Sequence, residues 1–358
     1  MKRFLKIGWL LSLVLLTTCI DKFPFTSDLP PRILNIEGYL TTSPKAHQIR
    51  LSRADIFGPE FNGLNRPEQL ATVMIKDDLG NVESLNEVSP GIYLTNDNFA
   101  AQVGRSYNLE VILFDGKRFI SRPELAAPVP EIDSVTFQSV RTPSLDRMND
   151  EIGVQVIAHF QDPADEQNFY FWNILPSDYQ LIGEPELNLN GPNHPTCPKC
   201  PNPLDCCKVC YVKEVPRPLN IFVAEDDEFN GIYQRRVIAY LRDNGIRFKG
   251  IFRLDMQHMS ISQDAYRHLR LIDQHLRLNG SVFDLPPANI RGNMLNVEDQ
   301  EDQVLGYFFV ADERPIRIYI DESKLEYVLR PRTLIPTTCL AFRGSGMTTN
   351  PPADWNPQ

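Results

Sequence analysis

The chain has 358 residues, 42% of them hydrophobic and 23% charged. That composition can bury a core, and the length suggests at least two domains. A net charge of −10, from 36 basic and 46 acidic residues, argues against nucleic acid as a partner and against adhesion to anionic lipid through charge. The 29 prolines favour strands punctuated by loops over helix bundles.

The first residues read as an export signal. Lys2, Arg3 and Lys6 form a positive region, residues 7–16 an apolar run too short to span a bilayer, and Leu16-Thr17-Thr18-Cys19 closes it before Asp21 and Lys22. This closing tetrapeptide resembles the lipobox of bacterial lipoproteins, which implies cleavage after residue 18 and acylation of Cys19. Two or more acyl chains anchor stably, at about 0.8 kcal/mol per buried CH₂. Residues 19–31, with Pro24, Pro30 and Pro31, then form the lipid anchor and an extended tether.

Residues 32–127 predict a first β-sandwich of immunoglobulin or fibronectin type. Short strands are expected at 33–40, 48–53, 71–76, 82–85, 92–94, 107–114 and 118–121. Turn signals at 77–81 and at Asp115-Gly116-Lys117 separate them, and 54–70 is one long loop. Pro123, Pro128 and Pro130 mark a linker.

Residues 128–345 predict a second β-rich, sandwich-like domain, with strands at 134–140, 153–161, 168–175, 219–224, 237–241 and 248–257. One helix is expected over 263–278, where Tyr266, Leu269, Ile272 and Leu276 recur at helical spacing. Ser262 can cap its start and Asn279-Gly280 can end it. Residues 304–311 and 315–320 read as closing strands, and 346–358 as a tail. The fold class is therefore mainly β: two sandwich-like domains, the second elaborated by a helix and a cysteine-rich insertion at 190–215.

That insertion holds Cys197, Cys200, Cys206, Cys207 and Cys210; Cys339 lies far away. With Cys19 acylated, six cysteines in an exported chain read as disulfides. Two C-x-x-C pairs could also ligate zinc, but their separation is short for a zinc ribbon. Redox chemistry would need an electropositive setting, for which Lys199 and Lys208 are weak support. Cys206 and Cys207 are not expected to pair with each other, and Cys339 is the natural long-range partner of the cluster. No metal and no cofactor is expected.

His268 and His275 share a helix face but lie two turns apart, so a solvated surface is expected rather than a metal site. Glu225-Asp226-Asp227-Glu228 reads as a solvated acidic turn, since the calcium-loop spacing is absent. The aromatic run 169–172 could be a sugar platform, but core packing is the leading reading on a strand. The sequence contains no G-x-S-x-G, no P-loop and no H-E-x-x-H.

Several stretches, in order, resemble one family: the lipobox, Ile36-Glu37-Gly38-Tyr39-Leu40, Leu51-Ser52-Arg53, Gly91-Ile92-Tyr93, Phe160-Gln161-Asp162-Pro163 with Asn168-Phe169-Tyr170, and 283–293 with Gly306-Tyr307-Phe308. The family is the Bacteroidota outer-membrane lipoproteins catalogued as domain of unknown function 4249. The resemblance covers nearly all the mature chain. It implies a lipid-anchored protein on the surface or periplasmic face of the outer membrane, partnering a TonB-dependent receptor. It supplies no catalytic residues. A non-catalytic binding or accessory role is thus expected; an exported hydrolase of glycan or peptide and a structural adhesin-like module are the alternatives.

Overall fold

The computed structural model describes residues 33–53, 66–143, 150–164, 166–188, 204, 206–215, 221–277, 290–299, 301–326, 329–342 and 347–357. The alternation that makes a half-covered strand begins at once. β1 (Leu34–Thr41) buries Leu34, Ile36 and Leu40 and leaves Glu37 in solvent. It pairs antiparallel with β2 (Gln48–Arg53). There follow β3 (Arg66–Pro67), β4 (Thr72–Asp77), β5 (Val82–Ser89), β6 (Ile92–Leu94), β7 (Ser106–Ile112), β8 (Arg118–Ser121) and β9 (Glu124–Leu125). Asp77 sets the β4–β5 turn: its carboxylate accepts from the amides of Leu79 and Asn81, at 3.0 and 2.8 Å.

The next strands are β10 (Ile132–Thr142), β11 (Glu151–Gln161), β12 (Phe169–Ile174), β13 (Ser177–Ile182), β14 (Val209–Glu214), β15 (Phe222–Glu225), β16 (Tyr233–Arg242) and β17 (Phe252–Ser260). Helix α1 (Gln263–Leu276) is capped as the sequence predicts, the Ser262 hydroxyl accepting from the Ala265 amide at 3.1 Å. The chain continues through β18 (Met294–Asn296), β19 (Val304–Leu305) and β20 (Phe308–Ile320). The protein is mainly β, with α1 the one α-helix among the described residues. No helix among them is long and apolar enough to cross a membrane.

Two large apolar clusters form. In the first, Ile36, Leu51, Ile75, Leu109 and Phe119 are joined by Met294, Val304, Phe308 and Val310 from far along the chain. The sequence reading left 294–310 with the second half; in the structure these residues complete the first core. The second cluster lies between the three-stranded sheet β10-β11-β16 and the strands β12, β17 and β20.

β20 belongs to both. Gly38–Thr41 of β1 pair parallel with Phe308–Ala311, and β17 pairs antiparallel with Asp312–Ile320. The sequence predicts a break between Ala311 and Pro315, but the strand runs through. Beyond Ala311 it pairs, among the described residues, with β17 alone, the edge situation in which a proline without an amide hydrogen is tolerated. β17 is buried on both faces. Phe252, Leu254 and Met256 enter the second core, whereas Met259 meets α1 in a smaller cluster with Phe169, Tyr266, Tyr307 and Phe309.

Candidate functional site

Where the two halves meet, a groove of about 730 Å³ lies between β1 and α1. Period two places its floor. Asn35, Glu37 and Tyr39 of β1 face it while their neighbours fill the first core. Tyr307 and Phe309 face it in the same way, and Phe308 points into that core. The helix supplies Ala265, His268, Leu269 and Ile272, a stripe at helical spacing. Lys45, His47 and Arg50 form a polar wall.

Two glycines shape the lip. A β-carbon on Gly292 would stand 1.8 Å from the Gly306 carbonyl oxygen, and one on Gly306 would stand 2.2 Å from the Ile36 oxygen. Gly306 also has φ +85°, a region that favours glycine. These approaches bring Ile290 and Leu305 to the groove's edge.

Tyr39 and Phe309 stack with ring centroids 5.1 Å apart and planes 9° apart. This stacked pair is held from behind by polar bonds. The Tyr39 hydroxyl donates to Gln257 Oε1 at 3.1 Å, and Asn173 Nδ2 donates to both, at 3.2 and 2.9 Å. Gln257 donates onward to Glu313, whose other oxygen pairs with Lys45 at 2.6 Å. Burial, with Glu313 beside it, raises the Tyr39 hydroxyl above its ordinary pKa, so the phenol stays neutral. His47 is lowered by burial and by Lys45; its Nε2 sits 3.0 Å from the Phe99 carbonyl. Arg50 and Glu37, both about half exposed, pair at 3.5 Å on the rim.

Beneath the helix end of the groove lies a buried carboxyl. Glu124 Oε1 accepts from the Tyr307 hydroxyl at 2.7 Å and from Asn293 Nδ2 at 3.2 Å. Burial raises its pKa against the pull of Ser262, Tyr307 and Asn293. His268 packs against Tyr307, with ring centroids 4.7 Å apart and planes tilted by 36°, and burial lowers its pKa. The site therefore offers an aromatic pair, two imidazoles held below their ordinary pKa, His47 and His268, and a cation–carboxylate rim. That combination suits holding a ring or an apolar chain with a polar edge.

Three expectations are corrected here. His268 was read as solvated but is buried, because its position joins the Ala265–Ile272 stripe. Asp226 was read as part of a solvated turn but is fully buried, accepting from the Asn168 amide at 2.8 Å. Cys206 and Cys207, not expected to pair, are bonded to each other across a cis peptide, with Cα atoms 3.2 Å apart. The aromatic run does pack as core. Tyr170 and Trp172 enter the second cluster, while Phe169 and Phe171 pack under α1.

Cys339 meets the cluster as expected: it bonds to Cys210, with S–S 2.04 Å and Cα–Cα 5.7 Å. Cys19, Cys197 and Cys200 lie outside the described residues, as does most of 283–293. The groove itself went unread, because its walls come from residues 35–50, 265–272 and 305–309. Its one legible trace was the glycine in Gly306-Tyr307-Phe308.

The amino-acid sequence matches the profile of one family, the domain of unknown function DUF4249, over residues 20–317. No curated protein matches it.

Proposed function

The chain belongs to the DUF4249 family, and from that premise we propose that it is a non-catalytic, lipid-anchored binding protein of a Bacteroidota outer membrane. Its anchor is the acylated Cys19, and its partner is a TonB-dependent receptor to which it presents ligand for uptake. Its two apolar cores are the centres of two sandwich-like units. The observation that carries the binding role is the Tyr39–Phe309 stack, an aromatic pair lining the floor of a groove, whose polar backing fixes it in place. A platform rigid before ligand arrives loses little entropy on binding.

The test has two arms. Metabolic labelling with palmitate should mark the wild-type chain and not Cys19→Ser. Crosslinking in intact membranes should then recover an outer-membrane barrel with the wild-type chain, and ligand capture should fall about tenfold in Tyr39→Ala, the order expected for losing a stacking surface. Unlabelled protein, or recovery of no barrel, sinks the proposal.

A further inference from the structure

A second cleft, of about 900 Å³, lies on the face of β17 and β20 that points away from the second core and is roofed by residues 348–354. The outward faces of these strands carry Arg253, Asp255 and Arg317 there. The roofing segment is fastened at both ends. The Tyr211 amide donates to the Thr348 carbonyl at 2.7 Å, and the Thr348 amide returns to Tyr211 at 3.2 Å, extending the edge of β14. At the other end each oxygen of Asp354 is held by a different guanidinium. Arg253 Nη1 reaches Oδ1 and Arg317 Nη1 reaches Oδ2, both at 2.7 Å. Trp355 stands edge-on to Tyr211 and Tyr319, at 5.1 and 5.4 Å.

The charges of the cleft show what fits it. Lys213, Arg253 and Arg317 face Asp178 and Asp255, so without Asp354 one positive charge is left over. The Arg253 side chain is only 6% exposed, and a buried guanidinium requires an anionic partner. Asp178 and Asp255 hold its other edges. The open position is the one taken by Asp354, and two guanidiniums converging on one carboxylate make a directional clamp.

We propose that this cleft recognises an extended acidic peptide bearing a carboxylate next to an aromatic ring. Asp354 and Trp355 occupy it in cis until such a segment of a partner protein displaces them. The peptide gains a backbone pairing at the β14 edge through Tyr211, the clamp takes its carboxylate, and Tyr211 with Tyr319 takes its ring. The two arginines hold the Asp354 pKa down at about 2. Ordinary acidification therefore leaves the strap closed, and competition and salt open it. This inference does not depend on the anchor or on the groove.

The test uses the full chain and a fluorescein-labelled peptide of sequence Thr-Thr-Asn-Pro-Pro-Ala-Asp-Trp-Asn-Pro, followed by anisotropy. The double variant Asp354→Asn, Trp355→Ala should bind it at least about tenfold more tightly than the wild type, whose site is filled in cis. Asn in place of the peptide's Asp, or Arg317→Gln in the same background, should lose about tenfold or more. If the double variant does not fold, Asp354→Asn alone gives the same readout. Equal affinity of loosened and wild-type chains, or of Asp and Asn peptides, overturns the proposal. A wild-type dimer dissociated by the peptide would place the strap in a second copy and overturn the cis arrangement.

Discussion

Phe308 and Phe309 are neighbours in sequence and belong to different cores. Phe308 is fully buried among the β1–β9 strands, while Phe309 lies on Tyr39 beneath α1. One strand with two buried faces thus ties the first core to the floor of the groove.

Truncating each ring separates these roles. Phe308→Ala removes a side chain with no solvent contact and should lower stability by about 3–5 kcal/mol. Phe309→Ala should destabilise less, since water in the groove can reach the space left, and should weaken ligand capture as Tyr39→Ala does. Urea unfolding of the two variants checks the order; a larger loss for Phe309→Ala would contradict it.

The Cys210–Cys339 bond closes a loop across 129 positions. A loop of that length withdraws unfolded-state entropy worth at most about 5 kcal/mol. Cys339→Ala should therefore lower the melting temperature, and reductant should lower the wild type by more than it lowers the variant, which lacks the long loop closure. Differential scanning calorimetry with and without reductant decides this.

His258 should make the protein acid-sensitive. It is fully buried against Phe160, Tyr170 and Trp172, with ring centroids 5.4–5.5 Å away. Neither ring nitrogen has a hydrogen-bond partner among the described residues. Burial, reinforced by Arg314, pushes its pKa from 6.5 down to about 3. The unfolded chain therefore binds the proton first, and stability should fall as pH drops from about 6.5 toward 3. His258→Phe should flatten that slope and gain stability at pH 5, measured by urea unfolding across pH.

Glu124 gives the opposite slope. Its pKa is raised by burial, so the folded state holds its proton longer than the unfolded one. The associated stability is present at low pH and is lost as pH rises through the folded pKa. Glu124→Gln keeps an acceptor for Tyr307 and Asn293 and removes the charge. It should equal or exceed the wild type in stability at pH 8 and lose stability relative to it where Glu124 is protonated. Thermal melts of both proteins across pH 4–8 test the sign.

Local chemistry was legible in the sequence. The β1–β2 pair, the Asp77 turn, α1 and its Ser262 cap each follow from residues within one or two turns of each other. Position across the fold was not. His268 reads as surface until Tyr307 is placed on it, and Asp226 reads as a solvated turn until Asn168 donates to it. Met294 and Val304 look like the second half's own residues, because nothing nearby tells which core a short apolar strand will join. The clamp on Asp354 joins residues from β17, β20 and the 347–357 segment, a convergence that no spacing reveals.

The parallel pairing of β1 with β20 also sets an order of events. The Thr42 hydroxyl waits for a carboxylate 270 positions later, at Asp312. A chain emerging from its N-terminal end thus makes the hairpins of its first half early, with one side of β1 still open. That open edge is a template for mispairing until residues 308–311 arrive. Folding should be slow for the protein's size, because the closing contact is among the most distant it has. Premature termination beyond β17 would leave an unclosed first core as well as a damaged second one.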